Sequence, residues 1–362
     1  MANAFHTLTI SDVAPLTRDS VCLTFTATDA ADFNFHAGQY LSVRMMVDGE
    51  EVRRSYSICS SEQDGRLSVG VKKVSGGVFS TWANDCATAG MTLEVMPPQG
   101  HFGDLPAVPA HTLASGPRYL GVAAGSGITP VISILRTRLA REPDARFTLI
   151  YGNRSSSSIM FREALEDLKN EFLERLSLVH ILSREQQDID LFNGRIDTDK
   201  CAALFRQWVP VNELAGAFVC GPLQMMEAVR DVLVAHGVLR ERVRVELFAA
   251  DEAAARERVV ARRALAQDSV AGTVRMKLDG LEREFEIQTQ AETILDAGLR
   301  AGYELPYSCK GGVCSTCMAR LVEGEVDMDA NYALEDYELA RGFILCCQSY
   351  PVTRDIVIDY DQ

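Results

Sequence analysis

Excess positive charge is missing from this chain. Lys and Arg number 36 against 50 Asp and Glu over 362 residues, a net charge of −14. A phosphate backbone would repel such a surface, so a nucleic-acid role is excluded. No apolar run approaches the roughly 18 residues of a membrane span, so no membrane partner is expected. Met1–Asp19 lacks the basic start and apolar core of a secretory signal. No internal repeat recurs. Without export signals the expected location is a reducing cytoplasm, and there ten Cys point to metal ligands or core positions rather than disulfides.

What is present is enough for several cores. A chain of 362 residues exceeds one typical domain, and 47% hydrophobic content is that of an ordered protein. Acid concentrates at the end: residues 271–362 hold 17 Asp and Glu against 8 Lys and Arg. Such a module suits docking onto a basic partner, or serves as a solubilising surface.

Pattern divides the chain into three modules and a linker. Short alternating runs such as Val21–Phe25, Leu67–Val71 and Thr92–Val95, punctuated by Gly, Pro and Asp, predict an antiparallel β-barrel or sandwich over 1–112, taken as a barrel. Strand and helix patterns then alternate over 113–250, with strands at Tyr119–Ala123, Phe147–Tyr151, Leu176–Ile181, Ala217–Cys220 and Arg244–Leu247. Helices are expected at Pro130–Arg141, Phe161–Phe172 and Leu223–His236. This is an α/β unit on a parallel sheet. Residues 251–270, rich in Ala, Glu and Arg, read as a linker. The last module, 271–362, opens with a hairpin at Val274–Leu278 and Phe285–Ile287. A helix at Thr293–Ala301 follows, and a strand at Asp355–Tyr360 closes it. The fold class is thus multidomain, α+β and α/β.

The sharpest signal is Cys309-Lys-Gly-Gly-Val-Cys314-Ser-Thr-Cys317, with Cys347 thirty positions on. Cys-x4-Cys-x2-Cys with a distant fourth Cys is the spacing of a plant-type 2Fe-2S site, which carries one electron at a time. Zinc is the rival ligand, in a metal-stabilised interaction protein. Zinc sites usually pair Cys-x2-Cys knuckles, and Cys346-Cys347 forms no second knuckle. Spacing favours Cys347 over Cys346 as the fourth ligand. The segment resembles plant-type ferredoxins over about 272–362, which implies a β-grasp fold with the cluster near its surface.

Two further strings carry cofactor chemistry. In Arg54-Ser-Tyr56-Ser57 the guanidinium suits a pyrophosphate, the Tyr ring can pack on an isoalloxazine and the Ser hydroxyl can reach its polar edge. The same residues could also be surface decoration. Gly76-Gly77-Val78-Phe79-Ser80 precedes a helical stretch and can form an anion site at a helix start, or merely a turn and cap. Together with Phe35–Tyr40 and Pro98–Phe102 these strings resemble the flavin domain of the ferredoxin-NADP reductase family. The resemblance implies FAD, with Arg54 on the pyrophosphate, Tyr56 stacked on the flavin, Ser57 near its N5, and Gly76, Gly77, Val78 and Ser80 around the pyrophosphate.

The third string, Gly121-Val-Ala-Ala-Gly125-Ser-Gly127-Ile-Thr129-Pro130, follows a strand and opens a helix, with Pro early where it is tolerated. It is not Gly-x-Gly-x-x-Gly, but it is similar to the form that the reductase family uses. By that resemblance Gly125 and Gly127 hold the nucleotide, and Thr129 lies beside flavin and nicotinamide. Cys220-Gly221-Pro222 with Met225 matches the family's Cys-Gly-Pro element, which sets Cys220 at the nicotinamide C4. Arg154 after one strand and Ser183-Arg184 after the next are candidate readers of a 2′-phosphate. They favour NADPH, with NADH possible. The catalytic candidates are Ser57, Thr129 and Cys220.

A hydride carries two electrons and a 2Fe-2S cluster takes one, so a flavin is the needed adaptor. The module order implies flow from NADPH to FAD to the cluster and out to an acceptor. Along its whole length, through Arg53–Cys59, Thr92–Gly103, Thr148–Arg154, Asn193–Asp197 and Ala330–Glu335, the chain resembles the reductase subunits of phenylacetyl-CoA epoxidases. That resemblance implies a di-iron oxygenase as partner. Relatives serve other oxygenases or the hybrid-cluster protein. One departure is Glu246-Leu247-Phe248, where Glu-Arg-Phe is more usual, which leaves Glu246 without an assigned role.

Overall fold

The computed structural model describes residues 4–26, 31–47, 49–106, 116–248 and 272–362. The linker expected at 251–270 lies outside them. The chain falls into two compact units. One holds Phe5–Val52 and Tyr56–Glu246; the other holds Leu247–Gln362 and the short segment Arg53–Ser55.

In the first unit, β1 (His6–Thr17), β2 (Ser20–Thr26), β3 (Tyr40–Val47), β4 (Glu50–Ser57), β5 (Leu67–Lys72) and β6 (Thr92–Val95) make an antiparallel sheet. Its order is β4-β3-β6-β1-β2-β5. Just past β4, Ile58 bridges Val69 of β5, and Cys59 N donates to Ser68 O at 2.9 Å. The two ends of the order therefore meet, and the sheet is a barrel with no free edge there. Leu8, Ile10, Leu23, Phe25, Val69 and Val71 fill its interior, as the alternating pattern predicts. β1 is 12 residues long. Register shifts at Ile10/Asp12 and Pro15/Thr17 carry it past Pro15, which strands accommodate at such irregularities.

A second sheet follows in the same unit: β7 (Arg118–Ala124), β8 (Arg146–Asn153), β9 (Leu176–Leu182), β10 (Leu214–Cys220) and β11 (Val243–Glu246). All are parallel, in the order β11-β10-β7-β8-β9. Every residue of β10 is buried, as a central parallel strand requires. The helices are α1 (Val78–Asp85), beside the barrel, then α2 (Ile128–Arg141), α3 (Arg162–Glu171), α4 (Thr198–Trp208) and α5 (Leu223–Ala235). α4 is additional to the helices that pattern predicts. It is capped by the Asp197 carboxylate, which accepts from Lys200 N at 2.9 Å, and it buries Cys201, Leu204 and Phe205, an i, i+3, i+4 stripe. The chain winds outward from β7 to β9, then returns to β10 and β11. The crevice at the carboxyl ends of β7 and β10 is thus the point where an open α/β sheet takes its ligand.

The second unit has β12 (Gly272–Leu278), β13 (Leu281–Ile287), β14 (Met318–Glu323), a short ribbon strand β15 (Val326–Met328), β16 (Phe343–Leu345), its partner β17 (Ser349–Pro351) and β18 (Asp355–Asp359). The main sheet has the order β13-β12-β18-β14-β16, while β17 pairs with β15. β12 and β18 are parallel and the remaining pairs antiparallel. The helix α6 (Ile294–Arg300) is capped by the Thr293 hydroxyl. With Phe285, Ile287, Leu305 and Leu345 it closes one core beneath the cysteine loop. This is the β-grasp arrangement. Among the described residues no helix is long and apolar enough to cross a membrane.

Candidate functional site

The cysteine loop lies between α6 and β14. Cys314, Cys317 and Cys347 are buried and Cys309 half-buried. Cys314 Sγ lies 3.1 Å from Cys309 Sγ. Further thiol hydrogen bonds join Cys347 to Cys309 and to Cys317, so the loop and the distant Cys347 form one group. Gly311 N donates to Cys309 Sγ at 3.3 Å. Gly312 has φ +74°, and a Cβ there would lie 2.7 Å from Ala330 O, so only glycine lets the loop turn this tightly. The Cys309 contact and then burial hold the Cys314 thiol well above its ordinary range. Four thiolates here need a cationic centre to offset that cost. The Cys-x4-Cys-x2-Cys spacing with one distant Cys is that of a plant-type cluster site rather than of paired zinc knuckles. The donor set fits 2Fe-2S.

Cys346 separates from its neighbour. Its backbone N donates to Cys317 O, and its O accepts from Leu295 N, both at 3.1 Å. Its side chain points into the core, where burial pushes the thiol up to about 12.

The second group sits at the crevice of the first unit. Ser57, at the end of β4, is 5% exposed, and its Oγ donates to Glu246 Oε2 at 3.2 Å. Glu246 ends β11 directly opposite Cys220, which ends β10. The Cys220 thiol is raised well above its ordinary value, by burial first and then by the Glu246 charge. Hydroxyl, carboxylate and thiol thus converge from β4, β11 and β10. Glu246 is the member to which sequence alone assigns no role.

Around them the loop Gly125-Ser126-Gly127 is tightly seated. A Cβ on Gly127 would overlap the Cys220 carbonyl oxygen, so glycine is what lets the start of α2 approach β10. Tyr151 hydroxyl donates to Gly125 O at 2.8 Å. Thr129 is buried. Its hydroxyl donates to Ser126 O at 3.0 Å, and its methyl lies over Gly70 of β5. Met225 packs against Gly221.

On the barrel side, the half-buried Tyr56 ring lies 5.1 Å from Phe79 at 34°, and Phe79 lies 5.5 Å from Trp82. Gly77 starts α1, leaving its first N–H groups at an exposed turn through Gly76 and Val78. Ser80 is turned inward: its Oγ accepts from Val74 N and donates to Gly77 O, each at 3.2 Å. Arg54 is exposed, with Nη1 donating to Arg53 O at 2.7 Å.

At the ends of β8 and β9 the backbone ladder continues. Ser183 N donates to Asn153 O at 2.9 Å and Arg184 N to Arg154 O at 2.8 Å. The exposed residues Arg154, Ser183 and Arg184 therefore stand side by side. Among them Glu185 Oε2 accepts from Ser156 N at 2.7 Å and Ser156 Oγ at 3.0 Å, which sets an acidic neighbour beside the candidate phosphate readers.

Comparison with known proteins matches each region. The FAD-binding domain of oxidoreductases covers residues 7–103, the NAD-binding domain of oxidoreductases 122–231 and the 2Fe-2S iron-sulfur cluster binding domain 276–352. One component of the 1,2-phenylacetyl-CoA epoxidase of Escherichia coli is 44% identical over 99% of this chain and 98% of its own. The ferredoxin reductase component of the 3-ketosteroid-9-alpha-monooxygenase of Mycobacterium tuberculosis is 33% identical over 98% of this chain and 96% of its own. Among solved structures, phthalate dioxygenase reductase, a modular structure for electron transfer from pyridine nucleotides to 2Fe-2S, aligns with a TM-score of 0.59 at 25% identity over 98% of both chains. The chain is an oxidoreductase, and it belongs to the family of oxygenase reductase components that join FAD-binding, NAD-binding and 2Fe-2S domains in one polypeptide.

Proposed function

We propose that the chain is the NADPH-dependent reductase of a phenylacetyl-CoA epoxidase, passing electrons to its di-iron oxygenase component in the cytoplasm. The observation that carries this reading is the 44% identity with the Escherichia coli epoxidase component, which runs over 99% of the chain. When bound, FAD takes two electrons as hydride and releases them singly, and the 2Fe-2S centre carries them one at a time. Domain limits are taken at 112, 250 and 270.

The chain's own residues supply position and charge. Arg54 and the turn Gly76–Val78 would hold the flavin pyrophosphate, with the buried Ser80 hydroxyl bracing that turn. Tyr56, steadied by Phe79, would give the ring a flat wall. Ser57 would present a hydroxyl oriented by the Glu246 carboxylate. Cys220 would border the nicotinamide, with Gly125, Gly127, Thr129, Gly221 and Met225 shaping its bed. Arg154, Ser183 and Arg184 would read the 2′-phosphate of NADPH. Cys309, Cys314, Cys317 and Cys347 would hold the cluster, and the acidic C-terminal module would meet the oxygenase.

The reduced protein is mixed with a purified phenylacetyl-CoA oxygenase complex. Faster reoxidation together with epoxide formation is expected. If neither occurs, the partner assignment fails. A second reading, service to another oxygenase, is favoured by the 33% identity with the 3-ketosteroid monooxygenase component and predicts reoxidation by a different complex. A zinc-stabilised interaction protein would instead be colourless when fully metallated.

A further inference from the structure

We propose that Gln348 is a positioning residue that sets the reduction potential of the cluster through the sulfur of Cys347. This rests on the ligand assignment above. Gln348 immediately follows the fourth cysteine and is half-buried. Its backbone is fixed on both sides: Gln348 N donates to Leu345 O at 2.8 Å, and Asp329 N donates to Gln348 O at 3.0 Å. The side chain turns back over the cysteine loop. Nε2 lies 3.0 Å from Lys310 O, 2.9 Å from Cys347 O and 3.6 Å from Cys347 Sγ. A primary amide has two hydrogens. Lys310 O, Cys347 O and Cys347 Sγ therefore share these two hydrogens.

Two consequences follow from this placement. The Lys310 contact ties the loop that brings Cys309, Cys314 and Cys317 to the distant segment that brings Cys347, so the fourth ligand is held in register with the first three. The sulfur contact places an N–H dipole on a ligand that gains negative charge when the cluster takes an electron. Such a donor stabilises the reduced form more than the oxidised form, and hydrogen bonds to sulfur are among the factors that raise the potentials of these clusters. Gly312 leaves room for the amide. A Cβ at that position would lie 3.2 Å from Gln348 Cγ, and φ there is +74°.

The test uses the full-length holoprotein. Gln348→Leu removes the donor at similar size, and Gln348→Glu keeps the length but replaces the N–H groups with a carboxylate. Iron and acid-labile sulfide content, the visible spectrum and a potentiometric titration of the cluster signal are measured for each. Gln348→Leu should disfavour reduction about tenfold, which for a one-electron couple is about 59 mV. Gln348→Glu should disfavour it further. NADPH-driven bleaching of the flavin should match the wild type. An unmoved midpoint in either variant with a full cluster overturns the proposal. Should Gln348→Leu lose its cluster, the midpoint of Gln348→Glu decides alone, and loss of the cluster from both variants overturns the potential-setting role in favour of a purely structural tie. Failure of the ligand assignment looks different: the wild-type protein would lack sulfide, or Cys314→Ser would keep it.

Discussion

The cysteine loop and the Ser57–Cys220–Glu246 group are built in opposite ways. Three of the four cysteines proposed as cluster ligands lie within nine consecutive residues, and local turns aim them. The second group draws one residue each from β4, β10 and β11, up to 189 positions apart, and only sheet pairing brings them together. A local site is written in spacing. A site assembled by a sheet is written in strand register, which no short string displays.

The largest expected effect breaks the cluster side alone. Cys314→Ser should abolish the cluster signal and the reduction of one-electron acceptors, while NADPH still bleaches the flavin. Cys346→Ala should keep the cluster, because that side chain faces the core. Visible and paramagnetic resonance spectra check both. Ser57→Ala is the corresponding break on the other side. It should slow flavin reduction by about a hundredfold, the low end for a lost acid–base or charge-stabilising contact, and leave the cluster spectrum intact in a stopped-flow comparison. Glu246→Gln, which keeps a neutral acceptor, should cost about tenfold.

Arg184→Ala should raise the KM for NADPH about tenfold, the worth of one charged contact to phosphate, and leave NADH use nearly unchanged in initial-rate measurements. Equal rates with both nucleotides in the wild type would show that Arg154 and Arg184 do not read the phosphate.

The smallest effect is a pH response confined to the nucleotide-binding sheet. Burial, and then the Arg162 charge, hold the His180 imidazole below its ordinary value of 6.5. As pH falls below that value the unfolded chain takes up a proton that the folded one resists, so stability drops on acidification. Thermal melts of the wild type and His180→Leu should diverge below pH 6.5 and run parallel above it. The cluster signal should not follow the same curve until the fold is lost.

These contrasts explain what is legible in the sequence and what is not. The all-β first module and the parallel sheet can be read because their strands alternate or run apolar at the expected period, the β-grasp form of the last module follows from its resemblance to plant-type ferredoxins, and the Asp279-Gly280 turn marks the hairpin that opens that module. Spacing favours Cys347 over Cys346 as the fourth ligand, and the buried Cys346 side chain is consistent with that choice. Glu246 escapes a reading by motif because its Leu247-Phe248 context is unusual, whereas its position depends on facing Cys220 across a ladder. α4 escapes too, although Asp197 and a buried stripe announce it. Ser80 carries a phosphate-binding expectation, yet its hydroxyl is committed to the turn beneath α1, a geometry that composition does not encode.

The pairing of Cys220 with Glu246 has a consequence for how such a protein tolerates change. A parallel ladder is a ruler with one mark per residue. It holds a thiol and a carboxylate 26 residues apart at the same height above the sheet. A one-residue deletion within β11 would set Leu247 at that mark and take the carboxylate away from Ser57. A change of length in the connection between α5 and β11 leaves that register intact, and a change within either strand does not.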